Sequence, residues 1–378
     1  MAWPVRRLPL LLALLALVVG CGQAAPPAPA PAPAALRHEA YVWQRAWTGA
    51  VGASVATASP ALTGLRVLTA EVDAAGAVTW PAVDTGALAR TGRPVTAVVR
   101  LDGARPPGAL DGAPAAPLAA ALDRIAAWQR AGVDVTGLEI DHDCATAALP
   151  AYARWLAAAR PPAPLRWSIT ALPTWASSPA LADVAAAVDE LVVQVHAVAA
   201  PRLFDRGAAR RWLDEVAAAL PTARLRVALP TYQVEVGGER LAADPVEVAA
   251  LVRDLERRPI ANLAGVVWFR LPTAGDSAAW PAPTLDAVIA GAPLVARVEA
   301  RLVARGPALY DVVVANPGTV AGAWPTLHLT GALTAADLVA GYAPTRDHTW
   351  TPPHRALPAG AETVVGWATG KDLRLDVF

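Results

Sequence analysis

Between residues 36 and 292 short apolar runs alternate with longer amphipathic stretches. The apolar runs cover 40–44, 65–72, 95–101, 137–141, 165–171, 191–196, 225–229 and 265–270. Each has the length of a strand, and several are apolar on both faces, as strands covered on both sides are. In 117–131, Leu118, Leu122, Ile125 and Trp128 recur at helical spacing, and 205–220 and 245–257 behave alike, with Asp244 placed as an N-cap. Eight such strand–helix units predict a (β/α)8 TIM barrel over 36–292. An open doubly wound sheet would need a glycine-rich phosphate loop after its first strand, and Gln44-Arg45-Ala46-Trp47 is not one. From about Pro293 the helical pattern thins to one turn near 335–339. Strand-like runs at 298–303, 310–315, 323–329 and 361–367, with a turn at Asn316-Pro317-Gly318, predict a small β-sandwich-like domain over 293–378.

The fourth run ends Gly137-Leu138-Glu139-Ile140-Asp141-His142-Asp143. Side chains two apart share one face of a strand, so Glu139, Asp141 and Asp143 form a row of acids. Burying an unpaired acid is costly, so such a row fits the wall of a polar pocket better than a core. Barrel sites lie at the C-terminal ends of the strands. Those ends bring Trp43, Gln194, His196, Tyr232, Trp268 and Arg270, with Trp175 in the loop after the fifth strand, to the same mouth as the acids. Aromatic rings for the flat faces of sugars, polar groups for hydroxyls and paired carboxyls for acid catalysis are the ingredients of a carbohydrate site. Asp141, His142, Asp143 and His196 are the alternative, metal-binding set, but a regular strand turns His142 away from the acids, so no metal or cofactor is predicted.

The N-terminus changes the picture of location. Arg6 and Arg7 precede an apolar stretch, 8–19, too short to span a bilayer, and Val18-Val19-Gly20-Cys21 resembles the bacterial lipobox. Residues 1–21 read as a lipoprotein signal with Cys21 as the lipidated residue, and the Pro/Ala-rich 22–35 as a semi-rigid tether. Gly22, where an inner-membrane retention signal has Asp, favours the outer membrane within a cell-envelope location. Only Cys144 remains beyond Cys21, so the mature chain can form no internal disulfide. The 32 basic and 32 acidic residues cancel, leaving no positive field for nucleic acid.

Two resemblances follow from these motifs. The segments 137–144, Ser168-Ile169-Thr170-Ala171-Leu172-Pro173-Thr174-Trp175, Gln194-Val195-His196 and Gly265-Val266-Val267-Trp268-Phe269-Arg270 resemble the bacterial family known as domain of unknown function 3142, which brings no established activity. More distantly, the chain resembles the chitinase-like glycoside hydrolase family 18. That family ends strand four with Asp-Gly-apolar-Asp-apolar-Asp-x-Glu, the last Glu being the proton donor. Gly137, Leu138, Glu139, Ile140 and Asp141 fall in step, and Asp143 takes the donor's place. Leu229-Pro230-Thr231-Tyr232 is similar to its strand-seven Leu-Pro-x-Tyr, and Trp268 to its strand-eight Trp. Thr136 replaces the first Asp, and Gln194-Val195-His196-Ala197 replaces Met-x-Tyr-Asp, so the acetamido-assisted mechanism is not carried over. The resemblance implies a glycosidase in which Asp143 is the general acid, Asp141 tunes it and Glu139 sits deeper as a hydrogen-bond partner. Gln194, His196, Tyr232, Trp268, Trp43, Trp175 and Arg270 would bind sugar. A non-catalytic glycan-binding lipoprotein on the same scaffold is the alternative, and a metal-assisted hydrolase a further one.

Overall fold

A computed structural model describes residue 1 and residues 36–102, 115–198 and 202–378. Cys21, the rest of the expected signal beyond residue 1, and the tether lie outside the described residues. Strands β1 (Arg37–Val42), β2 (Leu62–Val72), β3 (Val95–Leu101), β4 (Val135–Asp141), β5 (Arg166–Ala171), β6 (Glu190–Gln194), β7 (Leu225–Pro230) and β8 (Leu263–Phe269) are each followed by a helix. The helices are α1 (Gly49–Ala56), α2 (Thr85–Thr91), α3 (Ala115–Arg130), α4 (Leu149–Ala158), α5 (Leu181–Ala186), α6 (Arg206–Ala219), α7 (Pro245–Arg257) and α8 (Ala282–Ile289). Each strand pairs in parallel with the next, and β1 closes the ring by pairing with both β2 and β8. This is a closed (β/α)8 barrel. Asp84, Asp205 and Asp244 cap α2, α6 and α7 by accepting from the backbone of the first turn.

Strand alternation sorts residues between two environments. In β4, Leu138 and Ile140 face the helices and join the large outer core, while Gly137, Glu139 and Asp141 have the opposite parity and face the barrel axis. Tyr41, Trp43, Leu68, Val98, Val192, Ala228 and Val267 form a separate apolar layer inside the barrel, with Phe269 packed on it.

Two residues earlier on the strands, toward the N-terminal end, the interior is ionic. Arg66 donates from Nε to Glu39 (2.8 Å), from Nη2 to Glu190 (2.5 Å) and from Nη1 to Glu139. Arg226 Nη2 lies 2.9 Å from Glu39 and its Nε 3.0 Å from Glu190. Such a cluster needs room. A Cβ on Gly265 would stand 2.8 Å from Arg226 Nη1 and would run into the Arg37 carbonyl, so glycine is required by close approach.

Beyond α8, β9 (Glu299–Gly306), β10 (Leu309–Ala315), β11 (Leu327–Leu338), β12 (Thr349–Thr351) and β13 (Glu362–Val377) build an antiparallel sheet in the order β9–β10–β13–β11–β12, with Ala343–Pro344 at its edge. Gly322–Ala323 and Ala356–Leu357 pair as a separate small ladder. This region has its own core, which includes Val312, Val314, Trp324, Leu327, Trp350 and Val365. The helical turn expected near 335–339 falls largely inside β11, where Ala335, Ala336 and Asp337 pair with Thr369, Ala368 and Trp367 of β13, and ladder pairing overrides the local alanine preference. The described residues from Leu36 to Phe378 form one compact unit. Among the described residues no helix is long and apolar enough to cross a membrane.

Candidate active site

The barrel mouth holds a cavity of about 180 Å³. Tyr41, Trp43, Arg100, Asp141, Asp143, Thr170, Gln194, His196, Ala228, Tyr232 and Phe269 line it. Six of these come from the expected site, namely Asp141, Asp143, Trp43, Gln194, His196 and Tyr232. All lie at or just beyond the C-terminal ends of β1, β4, β6 and β7.

The acids divide by depth. Glu139 is fully buried below the cavity, where it accepts from Tyr41 Oη (2.6 Å), Ser168 Oγ (3.2 Å) and Arg66. Its oxygens are committed to the ionic layer, so it is placed as a hydrogen-bond partner and not where it can reach a ligand. Asp141 stands at the cavity floor with its side chain 8 % exposed, and Arg100 Nη1 donates to its Oδ2 at 2.9 Å. Asp143 is at the rim with its side chain 53 % exposed, and Arg100 Nη2 lies 3.9 Å from it. One guanidinium therefore spans both acids. Burial pushes the Asp141 carboxyl up to about 6. Arg100 and a Thr170 hydrogen bond pull the other way, and the charges of Asp143 and Glu139 add to the rise. The pocket thus contains a carboxyl that exchanges its proton near neutral pH, beside one open to solvent.

The opposite wall is aromatic. Phe269 is its hub, with ring centroids 5.6 Å from Tyr41, 5.2 Å from Trp43, 5.4 Å from His196 and 5.5 Å from Tyr232. Burial lowers His196 to about 3, so its imidazole is neutral, and it raises the Tyr232 phenol to about 12. Tyr232 Oη lies 3.4 Å from His196 Nδ1, while His196 Nε2 has no hydrogen-bond partner among the described residues. Gln194 Nε2 donates to the His196 carbonyl at 3.2 Å.

Three expected sugar-binding residues lie elsewhere. Trp268 is fully buried with the opposite parity to Phe269. It stacks on His38 (5.8 Å) and donates to His38 Nδ1 at 3.2 Å, outside the barrel interior. Trp175 is fully buried and donates from Nε1 to the Cys144 carbonyl at 2.8 Å, so it pins the backbone just after Asp143 instead of facing a ligand. Arg270 turns to Asp276, with Nη2 2.6 Å from Oδ2. Tyr41, Arg100, Thr170, Ala228 and Phe269 also line the cavity and are not among the site residues expected from the sequence. Tyr41 shares its parity with Trp43, which was the available signal. His142 faces away from the acids, as its parity requires, with Nδ1 3.2 Å from the Leu101 carbonyl and its ring against Tyr152 at 5.4 Å. Among the described residues no group of three or more His, Cys, Asp or Glu side chains is arranged to hold a metal ion.

Residues 91–240 match the family model described as "Domain of unknown function (DUF3142)". No curated protein matches the chain. Among solved structures, the chain is similar to the Bacillus megaterium QM B1551 spore cortex-lytic enzyme SleL (14 % identity, 64 % of this chain and 72 % of that one, TM-score 0.46). It is also similar to a fungal endo-beta-N-acetylglucosaminidase of glycosyl hydrolase family 18 (15 % identity, 67 % and 96 %, TM-score 0.47). A third is the GH18 chitinase of Pseudoalteromonas aurantia (14 % identity, 62 % and 93 %, TM-score 0.45).

Proposed function

We propose that the barrel acts on a glycan, with one sugar ring in the mouth cavity and Asp141 and Asp143 sharing the proton that is delivered to a glycosidic oxygen. The observation that carries this reading is the buried Asp141 carboxyl at the cavity floor, raised by that burial, beside the solvent-facing Asp143 and under the single Arg100 guanidinium. A buried acid coupled to a like-charged neighbour keeps a proton where an isolated carboxyl would lose it. Asp143, at the rim, hands the proton to the leaving oxygen as the C–O bond breaks. The negative charge left on the pair then faces the developing positive charge of the sugar, and water forms the new C–O bond to that carbon and returns one proton to the pair. Trp43 and Phe269 offer ring faces for the apolar side of the sugar, and Gln194 and His196 offer polar atoms for its hydroxyls.

A second reading is binding without cleavage. Arg100 touches both acids, and its charge opposes the protonation that acid catalysis needs. A glycan array followed by product analysis separates the two. New reducing ends support hydrolysis, retained but intact glycans support binding, and no retention of any glycan removes both.

The same reading places the barrel at the cell envelope. Its support is the lipobox-like sequence at Cys21 and the Pro/Ala-rich 22–35. One lipid-modified cysteine with its acyl chains would anchor the chain without a membrane-spanning helix.

A further inference from the structure

A second cavity of about 150 Å³ lies beside the first, and Tyr232 lines both. Its walls come from three places. The loop after β7 contributes Ala243, and the segment leading into α8 contributes Trp280 and Pro281. Val320 and Ala321 come from the turn that follows β10 in the C-terminal sheet region. The lining is mostly apolar, with Thr284 as one of its few polar members. Thr284 is 2 % exposed, and its hydroxyl has no hydrogen-bond partner among the described residues. Leaving a buried hydroxyl unpaired costs stability, and a ligand oxygen would relieve it.

The wall supplied by the C-terminal region is rigid. Asn316 is fully buried, and its side-chain amide makes four hydrogen bonds. Its Oδ1 accepts from Arg297 N (3.2 Å) and Gly318 N (3.0 Å), and its Nδ2 donates to the carbonyls of Val320 (2.9 Å) and Leu357 (3.0 Å). Thr319 adds a hydrogen bond from Oγ1 to the Pro293 carbonyl at 2.9 Å, tying the turn back to the end of the barrel. Val320 is therefore presented by a staple at its own carbonyl, and not by a loose loop.

We infer that this second cavity is the subsite for the next sugar unit of the glycan, so that the substrate runs from the barrel mouth across Tyr232 into the cleft between barrel and C-terminal sheet. The inference rests on the glycan reading above. An aromatic wall flanked by Ala, Pro and Val suits the apolar C–H face of a pyranose, while the Thr284 hydroxyl lies at its edge and Gln233, held by Ser277 and Arg240, borders it. The class of ligand is then a glycan of two or more units, and the C-terminal sheet takes part in choosing it.

Ala321 is exposed at the cavity edge, so Ala321→Trp fills the cleft without touching either core. The test uses Asp143→Asn protein, in which cleavage is slowed, with and without Ala321→Trp. Calorimetric titration with the one-unit and two-unit members of a glycan retained on the array measures the gain from the second unit. That gain should be about tenfold, the worth of one stacked ring and its hydrogen bond. Ala321→Trp should reduce it to less than about twofold and leave the one-unit affinity unchanged. Ala321→Ser should keep the gain. A one-unit sugar that binds with no gain from the second unit, or a gain that survives Ala321→Trp, overturns the subsite and leaves the mouth pocket standing. Failure of every one-unit and two-unit glycan to bind overturns both.

Discussion

Arg66 is the residue on which the barrel interior most depends. It is 2 % exposed, and its guanidinium meets Glu39, Glu139 and Glu190, of which the last two are wholly buried. Arg66→Met keeps an unbranched chain of comparable length and removes the charge. Breaking a buried ion pair from one side costs about 3–5 kcal/mol, because the partner stays behind uncompensated. For a unit of this size that corresponds to a fall in Tm of roughly 4–9 °C.

The pH dependence of the loss is diagnostic. Burial by itself pushes the Glu190 carboxyl up, but Arg66 and Arg226, with hydrogen bonds from Arg66 and Arg224, outweigh it and hold the group at about 2, below its ordinary 4.5. A depressed carboxyl contributes stability above its unfolded value and loses it as the pH falls toward the folded one. In Arg66→Met the burial effect gains ground and the support weakens. The deficit against the parent should therefore be complete above about pH 5 and shrink as pH falls below 4.5. Differential scanning calorimetry of both proteins between pH 3 and 8 measures it. A variant that melts within about 2 °C of the parent at pH 7, or a deficit that is the same at pH 4 as at pH 7, refutes the argument that the ionic layer holds the barrel together.

Asp141 should show the opposite sign. Its carboxyl is raised from 3.8 to about 6, so its charged form destabilises the fold, and the penalty sets in as pH rises through that range. Asp141→Asn should thus raise Tm at pH 7.5 and leave it unchanged at pH 3.5, and a melting series that shows no such crossover contradicts the burial assignment. Phe269→Ala should weaken glycan binding by about tenfold or more by removing the hub of the aromatic wall. Trp268→Phe should lower Tm and leave binding within twofold; the reverse pattern would mean that the strand-eight parity is wrong. Mass spectrometry of the membrane fraction should find the mature chain starting at a lipid-modified Cys21, and Cys21→Ser should release the protein from the membrane. A free, unmodified Cys21, or a chain that keeps residues 1–20, rules out the anchor.

Much of the barrel was legible because its period is strong. All eight strands and the three helices named from sequence occur, with ends shifted by at most three residues, and Asp244 caps α7 as its position implied. The row of acids was legible for the same reason, since parity alone puts Glu139, Asp141 and Asp143 on one side of β4. The deeper place of Glu139 followed from the resemblance, but the partner it meets there was not legible. Glu139 differs from Asp141 only by standing one layer lower, opposite Arg66, and that partner comes from another strand whose register no local pattern reveals. Strand eight misled in another way. Val266, Val267 and Trp268 are all buried, so the run shows no alternation from which to tell that Phe269, and not Trp268, points inward. Trp175 and Arg270 sit at the right end of the barrel, but their partners, the Cys144 carbonyl and Asp276, turn them from the cavity.

The central claim is that Asp143 delivers the proton from the Asp141–Asp143 pair. The direct measurement is the turnover of Asp143→Asn against the parent on a glycan that the parent cleaves, with glycan affinity measured alongside. Removing a general acid typically costs about 10²–10⁴-fold in turnover. Asp143→Asn should lose turnover on that order and keep its glycan affinity within a few-fold, because the aromatic wall is untouched. Turnover near that of the parent would contradict the assignment.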